Sequence, residues 1–280
     1  MAIDYIAEVG KLTLMDDVFM TAVFSEAPVE MTEFILKIIL KRKLKVTSVK
    51  VQDTITNLHG HGVRLDIHAV STSGKHFDIE IQTDNKGAIP RRARYNISIL
   101  DSNILPNGKD YKNLPETYVV FITKNDVLKL GEPIYFIERM IVGKSKFFDD
   151  GAHIVYVNNS IQDDTPLGRL MHDFSCANPD EIFYNEIADR VKLQKTDGEK
   201  VAKLAGVVER LIKKETRRVR RETAEQVRRE TAEQVRRETI LESALNTAKS
   251  LIAESGLSLE KIASICKLPL EKVQALAATK

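Results

Sequence analysis

The chain has 280 residues, of which 43% are hydrophobic and 29% are charged, and its formal net charge is +2. This composition is ordinary for a globular protein and argues against disorder throughout. The longest apolar runs, such as residues 34–40, fall well short of the roughly 20 residues that span a bilayer, so we expect no membrane contact. The N-terminal residues lack the basic and apolar regions of a secretory signal, which predicts a cytoplasmic protein.

The first half of the chain predicts helices around a sheet. The stretch "APVEMTEFILKIILKRKLK" places Pro28 in a first helical turn, followed by apolar residues at helical spacing and a basic end. The runs "KVTSVKVQDTI", "VRLDIHAV" and "KHFDIEIQT" alternate apolar and polar residues, which predicts three consecutive antiparallel strands. A helix that begins at Pro90 and two apolar strands, "TYVVFIT" and "AHIVYVN", come next. This order predicts an α/β fold with helices against a central sheet.

The second half is helical. Signals for helix begin at about residue 161, and residues 199–254 predict one long helix because Gly and Pro are almost absent from them. Between Glu199 and Glu238 there are 13 Lys and Arg residues against 8 Asp and Glu residues. The octamer "RRETAEQV" begins at Arg220 and again at Arg228, so the arginine pairs wind around the helix by about 80° per repeat. A solvated charged helix, an oligomerising helix and a nucleic-acid contact are the interpretations left open.

The last stretch, "GLSLEKIASICKLPLEKVQALAA", predicts two short helices. Ser258 is the expected N-cap of the first, and residues 267–269 form the expected turn before the second. The pattern is typical of a small helix-turn-helix. A purely structural helical hairpin and a DNA contact are both left open. A DNA-reading helix needs polar side chains that can meet base edges, and the second helix offers few of them.

The stretch "RLDIHAVSTSGKHFDIEIQ" combines a predicted hairpin with three acidic residues. With residues 72–74 as the loop, Asp66 lies opposite Glu80, and His68 lies opposite Asp78. Two carboxylates about 5 Å apart repel by roughly 3 kcal/mol at an effective dielectric constant near 20. The protein tolerates this repulsion if the face is solvated, if one acid is protonated, or if a cation lies between the acids.

A cation at this position would have oxygen ligands, which suit Mg²⁺, Mn²⁺ or Ca²⁺ better than zinc. The alternative is the solvated face of an antiparallel sheet, where charged and apolar residues alternate as a matter of course. His59, His61, His68 and His76 raise zinc as a further idea, but they form no ligand set of recognised spacing.

Four segments in order carry a resemblance to a known family: "LMDDVFMTAVF", "RLDIHAVSTSGKHFDIEIQ", "RRARYN" and "NGKDYKNLPETYVVFI". Over about residues 10–200 the chain resembles the Rpn family of recombination-promoting nucleases, also called PD-(D/E)XK nuclease family transposases. The resemblance implies a restriction-endonuclease-like core, which is a central mixed sheet flanked by helices. It divides the chain into a nuclease-like domain of residues 1–195, a long charged helix of residues 196–254 and a helix-turn-helix-like terminal hairpin of residues 255–280.

The resemblance also implies a metal site. Asp66 and Glu80 match the two acids of the family motif, and the backbone carbonyl of Ile81 would be a third ligand. Gln82 stands where many relatives have Lys, and it would orient water or phosphate. Asp16 matches an early, accessory acid of the family.

The downstream Arg and Tyr positions of the family match Arg92 and Tyr95. Together with Arg91 and Arg94 these residues would bind DNA phosphates, and a basic solvated first turn of the helix is the alternative.

The function that the resemblance implies is a divalent-metal-dependent DNA endonuclease associated with recombination or mobile elements. Mg²⁺ is the expected cofactor, with Mn²⁺ and Ca²⁺ as alternatives, and DNA is the expected partner. A homodimer or higher oligomer is expected because cutting both strands calls for two sites. The alternative is a catalytically weak DNA-binding or assembly protein that keeps the nuclease scaffold.

Overall fold

The computed structural model describes residues 3–56 and 60–278. The chain divides into two compact units, residues up to Arg210 and residues from Leu211 onwards. The boundary between the units lies inside the long helix. The division into three domains therefore stays a prediction, although the predicted long helix and terminal hairpin are both present.

The helices of the first unit begin where the sequence provides helix-starting residues. Pro28 and Pro90 each occupy a first helical turn, where the missing N–H of proline costs no hydrogen bond. Lys41 adopts a left-handed conformation with φ of 51°, and the helix from Pro28 ends there. The helices are α1 (Tyr5–Lys11), α2 (Asp17–Glu26), α3 (Pro28–Leu40), α4 (Pro90–Ile104), α5 (Pro166–Ser175) and α6 (Asn185–Thr196).

A six-stranded mixed sheet forms the centre of this unit, in the order β1-β2-β3-β4-β8-β5. The predicted meander is confirmed, since β1, β2 and β3 pair antiparallel, while β3, β4 and β8 run parallel and β5 is antiparallel to β8. The strands are β1 (Val46–Ile55), β2 (Val63–Ser71), β3 (His76–Gln82), β4 (Thr117–Thr123), β5 (Ile134–Ile137), β6 (Met140–Ile141), β7 (Lys146–Phe147) and β8 (Ala152–Asn158). Strands β6 and β7 form a separate two-stranded sheet, which the sequence did not predict. The predicted α/β class with a central mixed sheet and flanking helices is confirmed.

Helix α4 is the crossover between the parallel strands β3 and β4. Its apolar side, which includes Ala93, Ile97 and Leu100, packs on Val119 and Phe121 of β4 in one buried cluster. Burial of each large side chain of this kind stabilises the fold by about 1.5–3 kcal/mol. This packing holds the first turns of α4 against the carboxyl end of β3.

Helix α6 holds the N-terminal segment in place through Lys195. The ammonium group donates hydrogen bonds to the backbone carbonyls of Gly10, Leu12 and Ala177 at 2.9, 2.6 and 2.5 Å. It also lies 5.0 Å from the centre of the Phe19 ring, a cation–π contact. Residues 10–12, which lead into α2, are therefore fixed by a residue far away in the sequence.

The second unit contains most of helix α7 (Gly198–Glu254), together with α8 (Leu259–Cys266) and α9 (Leu270–Ala278). Residues 213–243 of α7 are all exposed, as a solvated charged helix requires. The predicted cap is confirmed, because the Ser258 hydroxyl accepts a hydrogen bond from the Lys261 N–H at 3.4 Å. A small apolar cluster joins these helices, with Ala248, Ile262 and Val273 each 0% exposed. Within the described part of the chain, no helix combines the length and apolar character needed to cross a membrane.

Candidate active site

The β2–β3 hairpin has the predicted register. Residues 72–74 form the loop, Gly74 takes a left-handed conformation with φ of +78°, and the Ser71 N–H donates to the Lys75 carbonyl at 2.9 Å. His68 pairs with Asp78, as the sequence predicts. The loop chemistry therefore sets which side chains of the two strands meet.

Asp66 lies where the two strands of the hairpin separate. Pairing along the described strands ends at Ile67 and Ile79, so the predicted backbone pairing of Asp66 with Glu80 does not form. Instead the Asp66 carboxylate accepts a hydrogen bond from the Ile81 N–H at 3.0 Å. The carboxylate thus takes the place of a backbone carbonyl as the acceptor for the Ile81 N–H. This hydrogen bond holds Asp66 at the carboxyl end of β3.

The interpretation of a solvated polar face is wrong. Asp66 is 8% exposed, and Asp78 and Glu80 are both 0% exposed. The physical reason is that β3 lies between β2 and β4, and α4 covers the side from which these acids project. Three carboxyl groups on the neighbouring strands β2 and β3 are therefore removed from water.

Arg92, in the first turn of α4, points inward. Its guanidinium donates to the Glu80 carboxylate at 2.5 Å, to the Gln82 amide oxygen at 3.3 Å and to the Gly87 carbonyl at 2.8 Å. Arg91 is exposed, whereas Arg92 is half-buried and lines the cavity beside the cluster while its guanidinium contacts Glu80. The role of Arg92 in binding DNA phosphates therefore stays a prediction, and the contact that the structure shows is the ion pair with the buried Glu80.

Gly87 makes room for this arrangement. A methyl group at this position would collide with the amide oxygen of Gln82 and would lie 3.4 Å from the Arg92 guanidinium. The small glycine therefore lets the Gln82 side chain lie against the 3₁₀ turn Asn85–Ala88, and a larger residue would displace that side chain.

Asn96 connects two of the acids. Its amide donates to the Asp78 carboxylate at 2.8 Å and to the Glu80 carboxylate at 3.4 Å. Within the described structure, one carboxylate oxygen of Asp78 and the amide oxygen of Asn96 are buried without a hydrogen-bond partner. The hydrogen-bonding capacity of the cluster is therefore incompletely satisfied. The part that Asn96 plays in it was not predicted, because only its spacing of four residues from Arg92 points to it.

The electrostatics of the cluster favour protons or cations. Burial raises the pKa of Glu80, and the charges of Asp78 and Asp66 raise it further, while Arg92 acts in the opposite direction. Burial likewise raises the pKa of Asp78 and of Asp66. Because one guanidinium faces three acids, the cluster lacks positive charge when all three are ionised.

A cavity of about 600 Å³ opens beside the cluster. Asp66, Ile81, Gln82, Arg92 and Tyr95 are among the residues that line it, so the structure brings most of the predicted site residues together. The Tyr95 hydroxyl donates to the His61 carbonyl at 2.5 Å. Arg94 is exposed on the same helix.

Of the two neighbouring acids Asp16 and Asp17, Asp17 is the one that lines this cavity. Asp16 precedes α2, and its carboxylate accepts hydrogen bonds from the backbone and hydroxyl of Thr13 at 2.8 and 3.1 Å. The Asp17 carboxylate accepts from Gln52 at 2.8 Å, and its charge raises the pKa of Asp66. The motif "MDD" alone does not predict which of the two acids faces the cavity, because this depends on the residue at which helix α2 begins.

The ligand chemistry here fits a divalent cation. Asp66 and Glu80 offer hard oxygen ligands, the acids of the cluster outnumber the guanidinium of Arg92 that contacts Glu80, and a buried oxygen of Asp78 has no partner in the described structure. Side chains alone do not form a complete metal site, however. Residues 3–56 and 60–278 contain no group of three or more His, Cys, Asp or Glu side chains close enough to hold one metal ion. The predicted ligand set of Asp66, Glu80 and the Ile81 carbonyl therefore stays a prediction.

The histidines that the structure describes do not assemble a zinc site. His68 contacts the Asp53 carboxylate at 2.8 Å and the His76 ring at 3.1 Å, and burial lowers the pKa of His76 to about 4. His61 lines the cavity described above. His59 lies outside the described residues.

Comparison with protein families gives one match. Residues 15–164 match the family described as "PD-(D/E)XK nuclease family transposase", which is more than half of the chain. Comparison with curated proteins gives no match. Comparison with solved structures gives none.

Proposed function

The chain belongs to the PD-(D/E)XK nuclease family transposases, and from this premise we propose that it is a divalent-metal-dependent DNA endonuclease that hydrolyses phosphodiester bonds. The family itself supports a function associated with nucleases or transposases. The observation that carries the finer proposal is the cluster of Asp66, Asp78 and Glu80, buried beside an open cavity with too little positive charge. Buried acids with raised pKa values are costly to the fold and concentrate at functional sites.

Asp66, Glu80 and the backbone carbonyl of Ile81 would hold the cation. Mg²⁺ is the ion that we propose, with Mn²⁺ or Ca²⁺ as alternatives, in keeping with the general use of divalent metals in this family. When bound, such an ion polarises a phosphate oxygen and lowers the pKa of a bound water. The Ile81 N–H orients Asp66 for this role through the 3.0 Å hydrogen bond.

Gln82 and Arg92 together would take the place of the lysine found in many relatives. The glutamine amide can orient water or phosphate but carries no charge. Arg92 lies 3.3 Å from the Gln82 amide oxygen, so its guanidinium supplies positive charge at this end of β3. That charge would stabilise negative charge that develops on the phosphate. Arg91 and Arg94, which are exposed on α4, would contact neighbouring phosphates.

One observation favours a second candidate, a catalytically weak DNA-binding or assembly protein. The contact of 2.5 Å between Arg92 and Glu80 already neutralises one of the acids. If Arg92 stays on Glu80 in the presence of metal, the scaffold binds DNA but hydrolyses it slowly or not at all.

The test is cleavage of supercoiled and linear DNA by the full chain with Mg²⁺, Mn²⁺, Ca²⁺ or a chelator. We compare wild type with Asp66→Asn, Glu80→Gln and the matched control Asp110→Asn, an exposed acid that pairs with Lys112. We expect metal-dependent cleavage by wild type and control. Asp66→Asn should lower the rate at least about 100-fold, since even outer-shell partners of metal ligands contribute about 10- to 100-fold.

Equal cleavage by wild type and Asp66→Asn, or cleavage that resists the chelator, would overturn the proposal. DNA binding without cleavage by any form would instead support the second candidate. The products also report on assembly, because double-strand cutting calls for two sites and hence a homodimer or higher oligomer, whereas nicking needs one.

A further inference from the structure

A second cavity of the first unit, of about 630 Å³, is basic. It lies between the end of α3, the loop from α3 to β1 and the turn of the β2–β3 hairpin. The Thr72 N–H donates to the Lys45 carbonyl at 2.9 Å and joins two of these walls. All charged residues that line it, among those described, are basic: Lys37, Arg42, Lys43, Lys45 and Lys75.

Acids neutralise only part of this charge. Lys37 pairs with Glu33 at 2.6 Å, and Lys75 pairs with Glu116 at 2.6 Å. Arg42 donates to the neutral hydroxyl of Tyr118 at 3.3 Å.

Lys43 and Lys45 are both exposed, and among the described residues neither lies within ion-pair distance of an acid, although the charge of Lys45 lowers the pKa of Glu33 from further away. Together with Arg42 they leave three positive charges around one cavity without an acid in contact. Like charges gathered in this way destabilise a fold slightly, and they are typical of surfaces that meet a polyanion.

We propose that this basic cavity binds the phosphate backbone of DNA at a place separate from the candidate active site. The inference rests on the proposed function for the choice of DNA as the polyanion. It adds a second contact surface, formed by α3, the following loop and the hairpin turn.

The basic cavity and the candidate active site lie at opposite ends of strand β3. Lys75 directly precedes strand β3 and Gln82 is its last residue, seven positions further on, a distance of about 23 Å along an extended strand. Phe77 lines the basic cavity, and because successive residues of a strand point to opposite faces, the Asp78 side chain lies on the other face of β3. A phosphate in the basic cavity is therefore not the one that would be cleaved beside Asp66.

The lining favours the backbone of DNA over its bases. Phe77 and Tyr118 are only 2% and 5% exposed, so the cavity offers little aromatic surface on which a base could stack. Its accessible groups are long cationic side chains and the hydroxyls of Thr72 and Ser73. Such groups contact phosphates without reading sequence.

The experiment measures the affinity of the full chain for a labelled DNA duplex at several salt concentrations, in chelator so that no cleavage takes place. The variant is the double replacement Lys43→Gln, Lys45→Gln. The matched control is Lys109→Gln, Lys112→Gln, which removes two exposed lysines from the loop after α4. Thermal unfolding of each variant confirms that the fold is retained.

Loss of two phosphate contacts should reduce the slope of log affinity against log salt by about 2. Between 50 and 200 mM salt, the affinity of wild type should then fall about 12-fold further than that of the variant. The control should keep the slope of wild type. A variant whose slope equals that of the control overturns the inference.

The outcomes also separate this inference from the proposed function. If the wild type does not cut DNA but the Lys43, Lys45 variant has the smaller slope, the basic cavity binds DNA and the nuclease proposal fails. If the wild type cuts DNA and the slopes are equal, the nuclease proposal stands and the inference fails.

Discussion

Asp78→Asn should stabilise the protein above neutral pH, because Asp78 is a buried carboxyl group beside other acids. It is 0% exposed, and one of its oxygens accepts a hydrogen bond from Asn96 at 2.8 Å. The other oxygen is buried without a partner within the described structure. An amide keeps the shape and the acceptor for Asn96 but removes the negative charge.

The expected gain follows from the spacing on β3. Asp78 and Glu80 are two residues apart and project from the same face, which separates them by about 6.6 Å. Two unit charges at this distance repel by about 2.5 kcal/mol at an effective dielectric constant of 20. This figure is an upper limit at pH 8, because burial and the charge of Asp78 raise the pKa of Glu80 to about 9 and Glu80 is mostly protonated there. Arg92 attracts both acids and offsets part of the repulsion. We therefore expect the free energy of unfolding to rise by about 1–2 kcal/mol at pH 8.

The effect should depend on pH with a definite sign. Burial raises the pKa of Asp78 in the folded protein, so the folded state binds the proton more tightly than the unfolded state. The resulting penalty is absent below the unfolded pKa of about 4 and grows as the pH rises until the folded pKa is passed. The difference between variant and wild type should be small at pH 5 and largest at pH 8.

The assay is thermal unfolding by calorimetry in chelator, at pH 5 and pH 8. A gain of this size should raise the Tm by about 2–8 °C in a unit of this length. Asp173→Asn is the matched control, because Asp173 is equally buried but accepts from the N–H groups of Phe183 and Tyr184 at 2.8 and 2.9 Å. The control should lower the Tm. A lower Tm for Asp78→Asn at pH 8, or an equal shift at both pH values, would refute the reasoning.

Two further replacements test the surroundings of the site. Gly87→Ala should displace the Gln82 side chain and lower the rate of DNA cleavage about 10-fold or more. The Tm should change little, because the colliding atom belongs to a flexible side chain. Full activity of the variant in a cleavage assay would contradict this prediction. Lys195→Met should lower the free energy of unfolding by about 2–4 kcal/mol, since three backbone carbonyls lose their charged donor. An unchanged urea midpoint would show that these contacts contribute nothing.

The hairpin register is predictable from sequence because a local feature determines it. Gly74 supplies the left-handed residue of the loop, and the pairing of His68 with Asp78 follows from the loop length alone. The strands Thr117–Thr123 and Ala152–Asn158 are also predictable, since each is a continuous apolar run with clear ends.

The burial of the acids is not predictable in the same way. A strand of alternating residues has the same pattern whether its polar face meets water or a helix. Here the covering helix α4 and the neighbouring strand β4 come from residues 90–123, beyond the hairpin. For the same reason the sequence did not distinguish Arg92, which turns inward to Glu80, from the exposed Arg91 and Arg94.

The position of Arg92, Tyr95 and Asn96 on one stripe of α4 has a dynamic consequence. Because these residues are three and four positions apart, a displacement of the helix moves the guanidinium, the phenol and the amide together. Local opening of α4 would expose the carboxyl groups of β3 to solvent in one cooperative step. The free energy of opening measured by deuterium exchange of the amide protons in the first turns of α4 should then equal the free energy of the opening that exposes Glu80.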